Sequence, residues 1–275
     1  MAVFFNKRQM LFEPVQPLSA GGMARLTLVQ QPDGTRLVLR ELHPRLCWDL
    51  RMQWRFYRGV KIREKVSPHP NIVYSVDFGY RGFIPYEIIE YVPGVNLHEL
   101  INKKDDLIKK NSLLLLRHIS TAIAHIHAKG YIHLDIKAEN IVIDSNSGEN
   151  DFRVKLTDFD LSRKAYSCFD RYHSGTASYM APEQLRQGAI GIEADIFAFG
   201  VLSYYLVTGT KPFTGYTREE MRRQQMSTTY QINEPIKINP DLTPKLNKII
   251  MECLEKDPTK RYPNMAFLQK EIGNL

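Results

Sequence analysis

The sequence predicts an α+β chain of two lobes, a small β-rich lobe with one helix over residues 1–92 and a larger, mainly helical lobe over 93–275. Three observations predict it. Short β-type runs joined by turn residues fill the first part. After Pro93-Gly94 the apolar residues recur at helical spacing. No repeat, low-complexity tract or linker-like stretch divides the chain.

Residues 24–31 and 35–42 flank Pro32-Asp33-Gly34, a strand–turn–strand signal. In the second strand Val38, Arg40 and Leu42 share one face, because side chains alternate. A basic helical segment runs to about Lys65 and carries Arg45, Arg51, Arg55, Arg58, Lys61, Arg63 and Lys65. It reads as a solvated helix face in preference to a docking surface. Residues 72–78 and 83–90 form a second strand pair around Gly79-Tyr80-Arg81-Gly82. In the larger lobe Leu116, Ile119, Ile123 and Ile126 make an amphipathic stripe, and Gly130 supplies a helix stop. Residues 192–208 are apolar nearly all round, as in a helix buried at the centre of a large lobe.

Composition narrows the class. The 275 residues are 43% hydrophobic and 24% charged, ordinary values for a globular protein. No apolar run approaches the ~20 residues of a membrane span. The opening Met1-Ala2-Val3-Phe4-Phe5-Asn6-Lys7-Arg8 has its charges after its apolar residues, the wrong order for a signal peptide. Cys47, Cys168 and Cys253 are far apart and odd in number, and suit neither disulfides nor a metal. A cytoplasmic setting is expected. The net charge is +7, but no nucleic-acid motif accompanies the basic segment, so no nucleic-acid partner is expected.

The run His133-Leu134-Asp135-Ile136-Lys137-Ala138-Glu139-Asn140-Ile141 gathers a carboxylate, an ammonium and an amide in one loop. The grouping suits phosphoryl transfer: Asp135 meets a hydroxyl, Lys137 the moving phosphoryl and Asn140 a metal. His-x-Asp alone is a weak signal. Here Thr157-Asp158-Phe159-Asp160 follows in order, then Gly175-Thr176-Ala177-Ser178-Tyr179-Met180-Ala181-Pro182-Glu183, then Asp195-Ile196-Phe197-Ala198-Phe199-Gly200. Order and spacing resemble the eukaryotic-type Ser/Thr protein kinase family over essentially the whole chain.

The resemblance implies a two-lobed protein-kinase fold, ATP and Mg2+ as cofactors, and a protein substrate or a regulated partner protein. It implies catalytic roles for Asp135 and Lys137 and metal-holding roles for Asn140 and Asp158. Around adenine it implies Ile89 as gatekeeper, Glu90-Tyr91-Val92 as hinge, Leu18 and Leu26 as roof, Val38 as wall and Val142 as floor, with Asn96 near ribose. It further implies that Asp195 ties down the catalytic-loop backbone and that Glu183 pairs with Arg261. His133 is expected as a packed core histidine. His125 and His127, two apart on a helix, face different directions and are not expected to hold a metal.

Four departures from the family pattern gather around the phosphates. The Gly-x-Gly-x-x-Gly lid falls on Ser19-Ala20-Gly21-Gly22-Met23-Ala24, with only Gly21 in place. The strand lysine falls on Arg40, and no Lys lies between Lys7 and Lys61. The helix glutamate that should pair with it falls on Gly59, between Arg58 and Val60; Glu64 lies about 140° further round a helix. Asp-Phe-Gly has become Asp158-Phe159-Asp160, a sequence that at least one family of active kinases also carries. On this reading Arg40 lacks its positioning carboxylate, and Lys at 40 with Glu at 59 is expected to restore transfer. Leu134 also replaces the Arg that would receive an activation-segment phosphate. Three functions stay open: a pseudokinase or weakened kinase that binds Mg-ATP and acts through partners, an active Ser/Thr kinase with a rearranged phosphate site, and a small-molecule kinase. The 175–183 segment and the Asp195 helix disfavour the third.

Overall fold

The computed structural model describes residues 3–5, 10–20, 22–144, 152–167, 177–186 and 190–275. The elements of its first part are β1 (Val3–Phe5), β2 (Met10–Ala20), β3 (Ala24–Gln30), β4 (Arg36–Leu42), α1 (Leu50–Val66), β5 (Ser75–Arg81) and β6 (Ile84–Glu90). The six strands form one antiparallel sheet in the order β1-β2-β3-β4-β6-β5. The strand–turn–strand reading of β3 and β4 holds to within a residue. The second pair is shifted: β5 starts at Ser75, because Ile72 stands in a parallel bridge opposite Leu156, held by the Val73 amide and the Asn71 carbonyl, instead of joining the sheet. The long β2 had no alternating signal and was not expected.

Strand β4 is buried on both faces, and its alternation sorts the two sides. Leu37 and Leu39 pack with Phe12, Val29, Tyr86 and Ile88 on one face. On the other, Val38 joins Val73 and Ile89, while Leu42 joins Phe56 and Val60 of α1. Arg40 lies between those two apolar patches. Helix α1 begins on Asp49, whose carboxylate accepts from the amides of Arg51 (2.9 Å) and Met52 (3.3 Å), and its Ile62 and Val66 reach into the core of the helical lobe.

The second part contains β7 (Val95–Asn96), α2 (Leu97–Asn102), α3 (Asp106–Ala128), β8 (Tyr131–Ile132), β9 (Ile141–Asp144), β10 (Arg153–Leu156), β11 (Arg163–Lys164), α4 (Pro182–Leu185), α5 (Glu193–Thr208), α6 (Arg218–Met226), α7 (Pro235–Ile238), α8 (Pro244–Cys253) and α9 (Met265–Gly273). The predicted stripe Leu116, Ile119, Ile123 and Ile126 is buried, and Gly130 turns the chain with φ +80°. Helix α5 is buried on every side, from Ala194 to Val207. Arg261 closes the lobe with a two-pronged bond to Glu183, at 2.6 and 2.9 Å. Among the described residues no helix is long and apolar enough to cross a membrane.

His69, just beyond α1, stacks on His125 of α3, with ring centroids 4.5 Å apart. Burial, then the charges of His125 and Lys155, lower the pKa of His69 from 6.5 to about 4. An unfolded chain takes up this proton near 6.5, whereas the folded chain refuses it until about 4. Stability should therefore be flat above that window and fall as pH drops through it. Urea midpoints at pH 7 and pH 5 should converge in His69→Gln relative to the parent. An unchanged acid loss in the variant would assign the slope to other groups.

Candidate functional site

Between the sheet and the helical lobe lies a cleft of about 750 Å3. It brings together Leu18, Leu26, Val38, Ile89 and Val142 as apolar lining. Glu90, Val92 and Asn96 line its back edge, with Glu90 bonded to Lys155 Nζ at 2.9 Å and Asn96 capping α2 through the Glu99 amide at 2.9 Å. Arg40, Lys137, Asn140, Asp158 and Asp160 line the opposite end. Asp135 lies in an adjoining recess with Lys137, Asp158 and Asp160. Gly21 falls outside the described residues, as do Thr176 and the start of its segment.

The loop bearing Asp135 is held from below by α5. The Asp195 carboxylate accepts from the amides of His133 (2.7 Å) and Leu134 (2.8 Å) and from His127 Nε2 (2.9 Å). Those bonds fix a turn in which Leu134 adopts φ +64°, a conformation that persists only when its surroundings over-determine it. His133 is fully buried, its Nε2 against the Thr157 carbonyl at 3.2 Å and its ring 4.8 Å from that of Phe159. Burial pushes its pKa down, so it stays a neutral packing residue. His125 meets the Val66 carbonyl at 2.9 Å, away from His127.

Above that base the functional groups converge. Lys137 Nζ and Asn140 Nδ2 both donate to Asp135 Oδ2, at 2.7 and 2.9 Å, and Asn140 Nδ2 also donates to the Asp135 carbonyl at 2.9 Å. Those bonds occupy the amide nitrogen of Asn140, so its oxygen is the atom suited to a hard cation. Asp158 has φ +62° and turns its half-exposed carboxylate into the cleft. Enclosure there works to raise its pKa, but Arg40, the Asp160 amide and Lys137 hold it below the usual carboxylate range. Among the described residues no group of three or more His, Cys, Asp or Glu forms a metal cage of its own.

The end of the cleft that bears Arg40 differs from expectation in three ways. First, Arg40 is already engaged. Its guanidinium is ion-paired with Asp160 Oδ2, lies 3.9 Å from Asp158 Oδ1 and 3.4 Å from Glu87 Oε2, and stacks over the Phe56 ring at 4.6 Å. Burial, opposed by Arg40 and assisted by the Asp158 charge, raises the pKa of Asp160 to about 7. Arg40 itself is raised despite its burial, chiefly by Asp160, Asp158 and Glu87.

Second, Gly59 is no vacancy awaiting a carboxylate. A Cβ there would stand 2.8 Å from the Phe159 carbonyl oxygen and 3.1 Å from Asp160 Cα. Helix α1 packs on the backbone of 158–160 so closely that only glycine fits, which corrects the expectation of a rebuilt pair at 40 and 59. Glu64 does not substitute, being exposed and paired with Lys61 at 3.0 Å.

Third, the basic helix is not simply a solvated face. Arg55 Nε and Arg58 donate to the Asp160 carbonyl at 3.3 and 3.5 Å. Arg63 is 1% exposed, donates to Glu87 Oε2 at 3.0 Å, and its guanidinium lies 5.3 Å from the Phe159 ring centroid. Sequence reading missed Glu87 and Arg63. A signal for the first did exist: Glu87 interrupts the apolar run Tyr86-Glu87-Ile88-Ile89, and a charge inside a fully buried strand needs a partner.

A family model described as "Protein kinase domain" matches residues 32–272. The serine/threonine-protein kinase pkn3 of Myxococcus xanthus is 29% identical over 267 residues, which cover 93% of this chain and 48% of that protein. The serine/threonine-protein kinase PrkC of Bacillus subtilis is 29% identical over 265 residues, covering 95% of this chain and 40% of its own. A calcium/calmodulin-dependent protein kinase type I of Schizosaccharomyces pombe is 32% identical over 207 residues, covering 74% and 60%. The chain thus spans less than half the length of the two bacterial relatives.

Proposed function

The chain belongs to the protein kinase domain family, and from that premise we propose that it binds Mg-ATP in the cleft and transfers the γ-phosphoryl group weakly to protein Ser or Thr hydroxyls. Residues 1–92 serve as the nucleotide-covering lobe and 93–275 as the catalytic lobe. The two bacterial relatives carry serine/threonine-kinase names, and Lys137 two residues beyond Asp135 suits that substrate class. Adenine lies between Leu26 and Val38 on one side and Val142 on the other, with Ile89 behind it and the 90–92 backbone at its edge. Asp135 orients the acceptor hydroxyl and receives its proton, and Lys137 steadies the phosphoryl oxygens as it leaves Asp135 Oδ2. The Asp158 carboxylate and the Asn140 oxygen hold the metal. When bound, Mg2+ supplies neutralisation of phosphate charge and in-line alignment.

One observation carries the weakness. Arg40, the cation for the inner phosphates, is ion-paired with Asp160, so a phosphate must displace a buried carboxylate to reach it. Asp160→Asn keeps the shape and removes the charge, and Asp160→Gly restores the family residue. Either change should raise γ-phosphate transfer about 10- to 100-fold, the worth of one charge-assisted hydrogen bond. A parent already turning over at ~1–100 per second, with Asp160→Asn lowering the rate, would overturn this reading. It would support the second reading, an ordinary-rate kinase whose Asp160 helps to hold metal. The anchoring of Arg40 by Glu87 favours that second reading.

A further inference from the structure

We infer that Glu87, held by Arg63, is the positioning residue for Arg40 and supplies from the sheet the carboxylate that helix α1 lacks. The inference rests on the nucleotide reading above and concerns how its phosphate-binding cation is aimed.

Register carries the argument. Arg40 and Glu87 are directly opposed residues of β4 and β6, and Leu39↔Ile88 and Glu41↔Tyr86 keep the pairing on either side. Directly opposed side chains start ~5 Å apart, so the ladder itself brings the guanidinium to the carboxylate. Glu87 is wholly buried, and its Oε2 accepts from Arg63 at 3.0 Å and from Arg40 at 3.4 Å, while Oε1 has no hydrogen-bond partner. Burying a carboxylate is costly unless cations pair with it, and removing one partner of such a set leaves an uncompensated charge. Two guanidiniums meet that need. Phe56 lies under one and Phe159 under the other, so each planar fork has a floor as well as an acceptor.

The close packing at Gly59 gives the reason for this arrangement. With α1 pressed on the backbone of Phe159 and Asp160, no side chain fits at position 59, and the counter-charge comes from the neighbouring strand. The consequence is mechanical. A shift of α1 breaks Arg63 from Glu87 but leaves Arg40 opposite Glu87, because sheet hydrogen bonds hold that register.

The bland alternative is a buried ion cluster with a structural role only. Binding of Mg-ATP and of adenosine, measured by calorimetry on the full chain, separates the two. Wild type should prefer Mg-ATP over adenosine, and Arg40→Met should lower that preference more than any change at Glu87, leaving the part owed to Mg2+ at Asn140 and Asp158. Glu87→Gln should lower the preference about tenfold with adenosine affinity unchanged. In the Arg40→Met background, Glu87→Gln should change nothing further. Should the single variant fail to fold, Glu87→Gln with Arg63→Gln leaves a neutral hydrogen-bonding pair in the same volume, and the same loss of preference is expected. An intact preference in these variants, or an equal weakening toward adenosine, makes Glu87 a structural partner only and overturns the inference. A wild type without any preference overturns the nucleotide reading, whereas an Arg40→Met variant that keeps the full preference overturns the positioning role alone.

Discussion

Asp195→Ala is expected to destabilise the folded chain by about 3–5 kcal/mol, a large part of the 5–15 kcal/mol typical of a domain. The carboxylate is wholly buried and accepts three hydrogen bonds, two from backbone amides of the loop and one from His127. Alanine leaves all three donors buried and unmatched, and each such group costs roughly 1–3 kcal/mol. The loop also loses what holds Leu134 at positive φ, so Mg-dependent nucleotide binding should fall with stability. Burial works to raise the pKa of Asp195, but its hydrogen bond and charge pairing with His127 and the bond from the His133 amide leave it lowered. Its contribution is thus present above the unfolded carboxylate pKa and lost as pH falls through the folded value. Asp195→Asn keeps one acceptor oxygen and should lie between parent and alanine. Urea unfolding at pH 7 is the measurement. A loss under about 1 kcal/mol for alanine would mean that water or a rotated side chain replaces the carboxylate.

Gly59→Ala is expected to lower stability, although helix propensity alone argues for a gain of about 1 kcal/mol. The opposing effect is larger. The new methyl would lie 2.8 Å from the Phe159 carbonyl oxygen and 3.0 Å from its carbon. That carbonyl already accepts from the Ser162 amide at 3.0 Å, so it cannot simply turn aside. Overpacking against backbone costs typically ~1–3 kcal/mol, which cancels the propensity gain and exceeds it. Gly59→Glu adds a carboxylate to a region where two guanidiniums already face Glu87, Asp158 and Asp160, and should be worse. Grafting Lys at 40 and Glu at 59 together should therefore lower both melting temperature and Mg-ATP affinity. A raised melting temperature in Gly59→Ala would show that α1 stands further from residues 158–160 than described.

The two cases mark how far local pattern reaches. Alternation in β4 sufficed to put Val38, Arg40 and Leu42 on one face, and spacing sufficed for the stripe of α3 and the all-round burial of α5. The loop over 133–141 was legible because its resemblance rests on Asp135, Lys137 and Asn140 standing within a few residues, and the structure brings those three together. Its tie to Asp195 was expected from the family resemblance, and no local pattern pointed to it. Boundaries were less legible. The start of β5 moved because Ile72 and Val73 answer to Leu156, far along the chain, and no window around them contains that partner.

By itself, then, the sequence determined the β-rich then helical order of the chain apart from β2, and the inward faces of β4, α3 and α5, since periodicity is a property of neighbours. Only the tertiary structure decided what surrounds Arg40. Glu87 stands opposite it through a strand register set across distant residues, Arg63 reaches it from a helix whose basic side chains look alike in sequence, and Gly59 records a closest approach between α1 and 158–160. Register, helix rotation and contact distance emerge when separate elements pack, and a missing glutamate on a helix reads as a loss until the neighbouring strand is in place.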